Sequence, residues 1–202
     1  MILARHGETE FNVHYGQRRV DPGIEDPDLT ERGRFQAREL AARLGDLAPE
    51  IEHLVVSPYR RTLETAAIVN TGLGLPVRVE TRVRERMGFA CDVGSPPYRL
   101  SRAWPDLDFG TLSDGWWRPH DGGQEESEDA LARRVANFRN EWALRADHTT
   151  ALVVTHWGVI RSLTGITVGN TGIVHFDPTT GDFDVVHVGE GRGAGVVGAS
   201  HP

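Results

Sequence analysis

Five side chains of this sequence have the types and settings to handle a phosphoryl group: Arg5, His6, Arg60, Glu85 and His156. Each falls at or just after the end of an expected strand, and in a parallel sheet such ends converge on one crevice. Phosphate oxygens carry negative charge, and a guanidinium fork meets them two at a time. Two arginines and two histidines around one phosphate would stabilise its equatorial oxygens while a nucleophile attacks in line. A neutral imidazole can be that nucleophile, splitting the reaction into two steps through a phosphohistidine. A carboxylic acid beside the leaving oxygen would protonate it and then, as carboxylate, activate water.

The elements that must position these groups follow from the apolar pattern. Ile2-Leu3-Ala4 stops on Arg5-His6-Gly7, as a buried strand does when it delivers reactive side chains at its end. Residues 10–27 have no steady period and read as a loop, on which Asn12, His14 and Arg19 are placed to line the site. For His14 and Arg19 the plain alternative is a solvated connector. Thr30 caps a helix carrying Phe35, Leu40 and Leu44 on one side, up to Gly45. A strand over 51–56 runs into Ser57-Pro58, read as the cap and first position of a helix with Arg60 in its first turn. Val77-Arg78-Val79 reads as a third strand, leading to Arg84-Glu85-Arg86.

Residues 88–123 are rich in Gly and Pro and hold Trp104, Trp116 and Trp117. Their apolar content is too thin for a separate core, so they read as an irregular insertion over the mouth of the site, within a single domain spanning 1–202. Arg118, His120 and Trp157 join His14 and Arg19 as candidate substrate or lid residues. A helix over 125–145 presents Ala130, Leu131, Val135, Phe138 and Trp142 as an apolar stripe. Residues 149–155 form the clearest buried strand, followed by His156-Trp157-Gly158 and a short helix to Leu163. Segments 173–176 and 183–188 read as edge strands, and 189–202 as a loosely held tail. Strands alternating with helices give the α/β class: a three-layer α/β/α sandwich with a mostly parallel central sheet.

Composition narrows the partners. A net charge of -7, from 29 acidic against 22 basic residues in 202, disfavours nonspecific binding to nucleic acid or to acidic membranes. A local arginine-lined pocket is unaffected by that balance. One cysteine, Cys91, allows no intrachain disulfide framework, and no apolar run approaches membrane-spanning length. No signal peptide is evident, and a cytoplasmic location is expected. His53, His148, His175, His187 and His201 read as surface or supporting residues.

Arg5-His6-Gly7-Glu8-Thr9 with Asn12 resembles the opening motif of the histidine phosphatase (phosphoglycerate mutase-like) superfamily. Asp28-Leu29-Thr30-Glu31-Arg32-Gly33 with Gln36-Ala37 resembles the segment that follows it there. Ser57-Pro58 with Arg60, Thr62, Thr65 and Ala66 looks like the second arginine motif. Arg84-Glu85-Arg86 with Gly88 resembles the segment bearing the acid, and Thr155-His156 with Gly158-Val159-Ile160-Arg161 the second histidine motif. The resemblance implies a nucleophile at His6 and a proton donor at Glu85. It implies phosphoryl contacts from Arg5, Arg60, His156 and Asn12, with no metal and no cofactor. Trp157 departs from the small residue many relatives carry, Gly122-Gly123-Gln124-Glu125-Glu126-Ser127 matches only loosely, and residues 89–120 match no particular subgroup. The leading expectation is a phosphatase for a small phosphorylated metabolite. The alternatives are a phosphoglycerate mutase, and an inactive phosphate-binding or interaction protein. A homodimer is left open.

Overall fold

The computed structural model describes residues 1–47, 50–119 and 122–191. Its centre is a six-stranded sheet in the order β3-β2-β4-β1-β5-β6. The strands are β1 (Ile2–Arg5), β2 (His53–Val56), β3 (Val77–Val79), β4 (Ala151–Thr155), β5 (Ile173–Phe176) and β6 (Phe183–His187). The first four run parallel, whereas β5 and β6 are antiparallel to their neighbours. The helices are α1 (Glu10–Arg18), α2 (Glu31–Leu47), α3 (Arg60–Asn70), α4 (Pro97–Ala103), α5 (Glu128–Ala143) and α6 (Trp157–Thr164).

The period-two alternation of side chains along a strand divides the interior into two cores. Leu3, Val55 and Val153 face α5 and α6, meeting Leu131, Val135, Phe138, Trp142, Val159 and Ile160. Ile2, Ala4, Leu54, Val56, Leu152 and Val154 face the opposite way, onto Leu40 and Leu44 of α2 and Leu63, Ala66 and Val69 of α3. Strands buried on both faces read as unbroken apolar runs, and a three-layer sandwich is the result.

Five local expectations are corrected. Residues 10–18 form helix α1 rather than a loop, because Thr9 caps it by accepting from Asn12 N–H while Asn12 Oδ1 accepts from Thr9 N–H. Helix α3 starts at Arg60 with Tyr59 as its cap, so Ser57 and Pro58 precede the helix. The strand over 173–176 is not at an edge, since β5 lies between β1 and β6. Within the insertion, Pro96-Pro97 opens α4, with Pro at the first helical position where its missing N–H is harmless. Phe35, expected on the apolar side of α2, is 54% exposed. The tail from 192 onward and His120 lie outside the described residues.

The segment after β3 is held by a buried ion network. Glu126 accepts from Arg84 Nη1 at 3.0 Å and from Arg134 Nε and Nη2 at 3.0 and 2.6 Å. Arg134 Nη1 in turn donates to the carbonyls of Arg82 and Arg84. Both arginines are buried against this one carboxylate. We expect Glu126→Ala to lower stability by about 3–5 kcal/mol, since two buried cations lose their counter-ion. A urea denaturation midpoint equal to wild type would contradict this.

Candidate active site

The parallel strands bring four functional side chains to one end of the sheet. Arg5 ends β1 and His6 follows it; Ser57 follows β2; His156 follows β4. Register is fixed beyond the strands by His6 N–H to Thr155 O at 3.1 Å and Ser57 N–H to Val154 O at 3.2 Å. The rings of His6 and His156 lie 5.3 Å apart between centroids.

His6 Nδ1 sits 2.7 Å from the carbonyl oxygen of Gly7. A carbonyl only accepts, so Nδ1 carries the proton and the neutral ring keeps its lone pair on Nε2. His156 Nε2 is 2.7 Å from Ser57 Oγ, which turns the other nitrogen, Nδ1, to the centre of the site. Arg5 donates through Nη1 to Val168 O at 2.8 Å. Arg5 Nε and His156 Nδ1 are buried without a hydrogen-bond partner among the described residues. Buried polar atoms are nearly always satisfied, so unpartnered atoms on Arg5 and His156, the residues next to and ring-paired with His6, are open to an external group.

The charges explain the protonation states. Burial, then the nearby Arg61 and Arg5 guanidinium groups, hold His6 well below the ordinary imidazole range, and burial and Arg61 do the same for His156. Burial pulls Arg5 down to about 10, so it keeps its charge at neutral pH. The site is therefore two cations beside two neutral imidazoles.

The second arginine is Arg61, and this corrects the expectation for Arg60. The Arg60 side chain is 42% exposed and bonds Asp28 Oδ2 at 2.6 Å, away from the histidines. The Arg61 side chain is 3% exposed, donates to Cys91 O at 2.7 Å and stacks on the Tyr59 ring at 4.2 Å. Helical spacing gives the reason: Arg61 lies four before the buried Thr65, whereas Arg60 lies four before the less buried Glu64.

Glu85 stands on the connection after β3. Both carboxylate oxygens accept from Gly158 N–H, at 3.1 and 3.2 Å, and Oε1 also accepts from Arg86 N–H at 2.8 Å. Any Cβ at position 158 would collide with Glu85 Oε1, so glycine there keeps the carboxylate close to His156. Thr155 Oγ1 donates to Val83 O at 2.8 Å and ties β4 to the same connection. Asn12 Oδ1 accepts from Thr9 and from Asn170 Nδ2, which fixes the amide and leaves its own NH2 to be presented elsewhere.

The remaining expected residues are less central. His14 is exposed on α1, and Arg19 is exposed with a left-handed φ of 56°, its guanidinium over Tyr15. Trp157 lies under the Arg161 guanidinium, 5.0 Å from it. Arg118 is exposed, and its carbonyl accepts from Arg84. Sequence reasoning missed Ser57, Arg61, Asn170 and the part of the insertion that backs the site. Tyr59, just before α3, donates to Asp92 O of that part at 2.7 Å, and Trp116 of the insertion packs edge-on against the Tyr59 ring.

Residues 1–192 match the model of the Histidine phosphatase superfamily (branch 1). The chain belongs to this superfamily. It is 34% identical over 178 residues to the glucosyl-3-phosphoglycerate phosphatase of Mycobacterium tuberculosis, covering 81% of this chain and 72% of that protein. It is 30% identical over 182 residues to a putative phosphoserine phosphatase 2 of Hydrogenobacter thermophilus, covering 88% and 84%. Among solved structures, a mycobacterial glucosyl-3-phosphoglycerate phosphatase in complex with VO3 matches with a TM-score of 0.61 and 25% identity, over 92% of this chain and 96% of that one. Membership gives family-level support for phosphomonoester hydrolysis of the histidine-phosphatase type.

Two outcomes test the site. Arg61→Ala should lower kcat/KM for p-nitrophenyl phosphate by about 100- to 1000-fold, as loss of a transition-state charge partner does, while Arg60→Ala should change it by about threefold or less. Comparable losses in both variants would remove the distinction. In NMR titrations, both site imidazoles should protonate only below the usual 6.5. Unfolded histidines bind protons near pH 6.5, so between there and the lowered native value the unfolded state holds more protons. Stability should therefore fall on acidification through that window. Site histidines titrating above 6.5 would contradict the assignment.

Proposed function

We propose that this histidine phosphatase hydrolyses a small phosphorylated metabolite through a phosphohistidine on His6. The observation carrying the proposal is the His6 Nδ1–H bond to Gly7 O, which leaves Nε2 as the nucleophilic nitrogen, together with the unpartnered Arg5 Nε on the adjacent residue and His156 Nδ1 on the ring 5.3 Å away. Arg5, Arg61, His156 and the Asn12 amide hold the phosphoryl oxygens. His6 Nε2 attacks phosphorus in line; the N–P bond forms as the ester P–O bond breaks, and Glu85 gives its proton to the leaving oxygen. Glu85, now a carboxylate, takes a proton from water, whose oxygen displaces His6 and releases inorganic phosphate. No step calls for a metal.

Hydrolysis is favoured over mutase chemistry by the pattern of likeness. The relatives named as phosphatases of glucosyl-3-phosphoglycerate and phosphoserine align over 81% to 88% of this chain. The probable phosphoglycerate mutase of Cronobacter sakazakii aligns over 42%. Both named phosphatase substrates are phosphate esters that also bear a carboxylate, so phosphorylated hydroxy acids and amino acids head the substrate class.

The deciding experiment is phosphate release across a panel of phosphorylated sugars, glycerates, amino acids and nucleotides, with His6→Ala as the blank. Rapid release from one carboxylated ester, absent in the blank, is expected; isomerised phosphoglycerate with little free phosphate would replace hydrolysis by mutase chemistry. Glu85→Gln should slow alkyl esters far more than p-nitrophenyl phosphate, because a good leaving group needs little protonation. Equal slowing of both would point to another acid.

A further inference from the structure

The insertion reaches the reaction centre through buried contacts with Arg61 and Tyr59. Asp92 closes a 3-10 turn (Ala90–Asp92) on the segment after Glu85. Its Oδ2 accepts from the N–H groups of Gly88 and Phe89, at 3.3 and 3.1 Å, which fixes the carboxylate relative to the turn. Its Oδ1 meets Arg61 Nη2 at 3.2 Å, and both side chains are almost fully buried. The neighbouring Cys91 carbonyl takes Arg61 Nη1, and the Tyr59 ring covers the guanidinium face. Asp92 is the carboxylate that the described residues pair with Arg61. Burial pushes Asp92 up to about 6, while Arg61 beside it pulls the other way.

We propose that Asp92 is a positioning residue for phosphoryl binding: through its buried contact it sets the orientation of the Arg61 fork, so the insertion acts directly on phosphate affinity. This rests on the reading of Arg61 as a phosphoryl contact. An arginine side chain has many rotamers, and a bidentate contact requires one of them. The Cys91 carbonyl restrains Nη1 alone; the Asp92 carboxylate adds the second point that fixes the plane. Asp92 touches neither substrate nor His6 in this scheme and acts only through Arg61.

A double-mutant cycle with orthovanadate tests it, since coupling appears only where one residue acts through the other. Asp92→Asn keeps acceptors for the Gly88 and Phe89 N–H groups and removes the charge. Vanadate inhibition should weaken about tenfold in the wild-type background, and by less than about twofold in the Arg61→Lys background. Equal weakening in both backgrounds, or none in either, would overturn the positioning role. A lower melting temperature with unchanged vanadate affinity would reduce Asp92 to a structural residue and overturn it as well. Should Asp92→Asn fail to fold, Asp92→Glu carries the same cycle, because the longer side chain shifts the carboxylate while keeping its charge. Wild-type protein that does not bind vanadate would instead strike the phosphate-site reading, so the two failures are distinguishable.

Discussion

Everything at the carboxyl end of this sheet answers to positive charge buried together. Arg5 and Arg61 are both withdrawn from water close to two imidazoles, and like charge in a poorly solvated place is unfavourable. The fold resolves this by protonating neither histidine and by setting the buried Asp92 against Arg61. Neutral histidines are also what the chemistry needs, because only an unprotonated Nε2 can attack phosphorus. A phosphate ester brings the missing negative charge, so its binding relieves the tension that keeps the imidazoles neutral.

The supporting structure can be understood as the means of keeping that cluster dry and aligned. Alternation along β1, β2 and β4 fills both faces of the sheet with aliphatic side chains, which leaves the reactive polar groups at the strand ends. The buried Glu126 network does for the Glu85 connection what strand pairing does for His6 and His156. Aromatic rings finish the enclosure, with Tyr59 set edge-on to His156 and backed by Trp116 from the insertion.

Much of this was legible in the sequence, for reasons that differ from place to place. Unbroken apolar runs announced β1 and β4, and the polar residues that end them announced Arg5, His6 and His156. The error at Arg60 arose from reading position within a turn without asking which face of the helix is inward; Thr65 and Ala66 carried that information. Helix α1 was hidden because its stability comes from the Thr9–Asn12 capping exchange and from docking of Phe11 rather than from an apolar stripe. Asp92 could not be found at all, since its meaning depends on a contact across 31 positions of chain.

The backbone crossing of Gly7 and Gly33 has a consequence for how such an enzyme can diversify. A side chain at either glycine would strike the other segment, and around them Thr30 N–H bonds Glu8 O while Thr9 bridges to Leu29. The stretch between, including α1, is thus a closed excursion whose two ends are stapled together beside the nucleophile. Loop closure depends only weakly on length, so residues can be added, lost or exchanged inside the excursion without moving His6. Asp21 and Asp26 tie its far side to Ala90 and Ser95 of the insertion. The two segments are therefore joined, so a change in one is carried to the other, while Asn12 inside the excursion and Asp92 inside the insertion stay tied to Asn170 and Arg61.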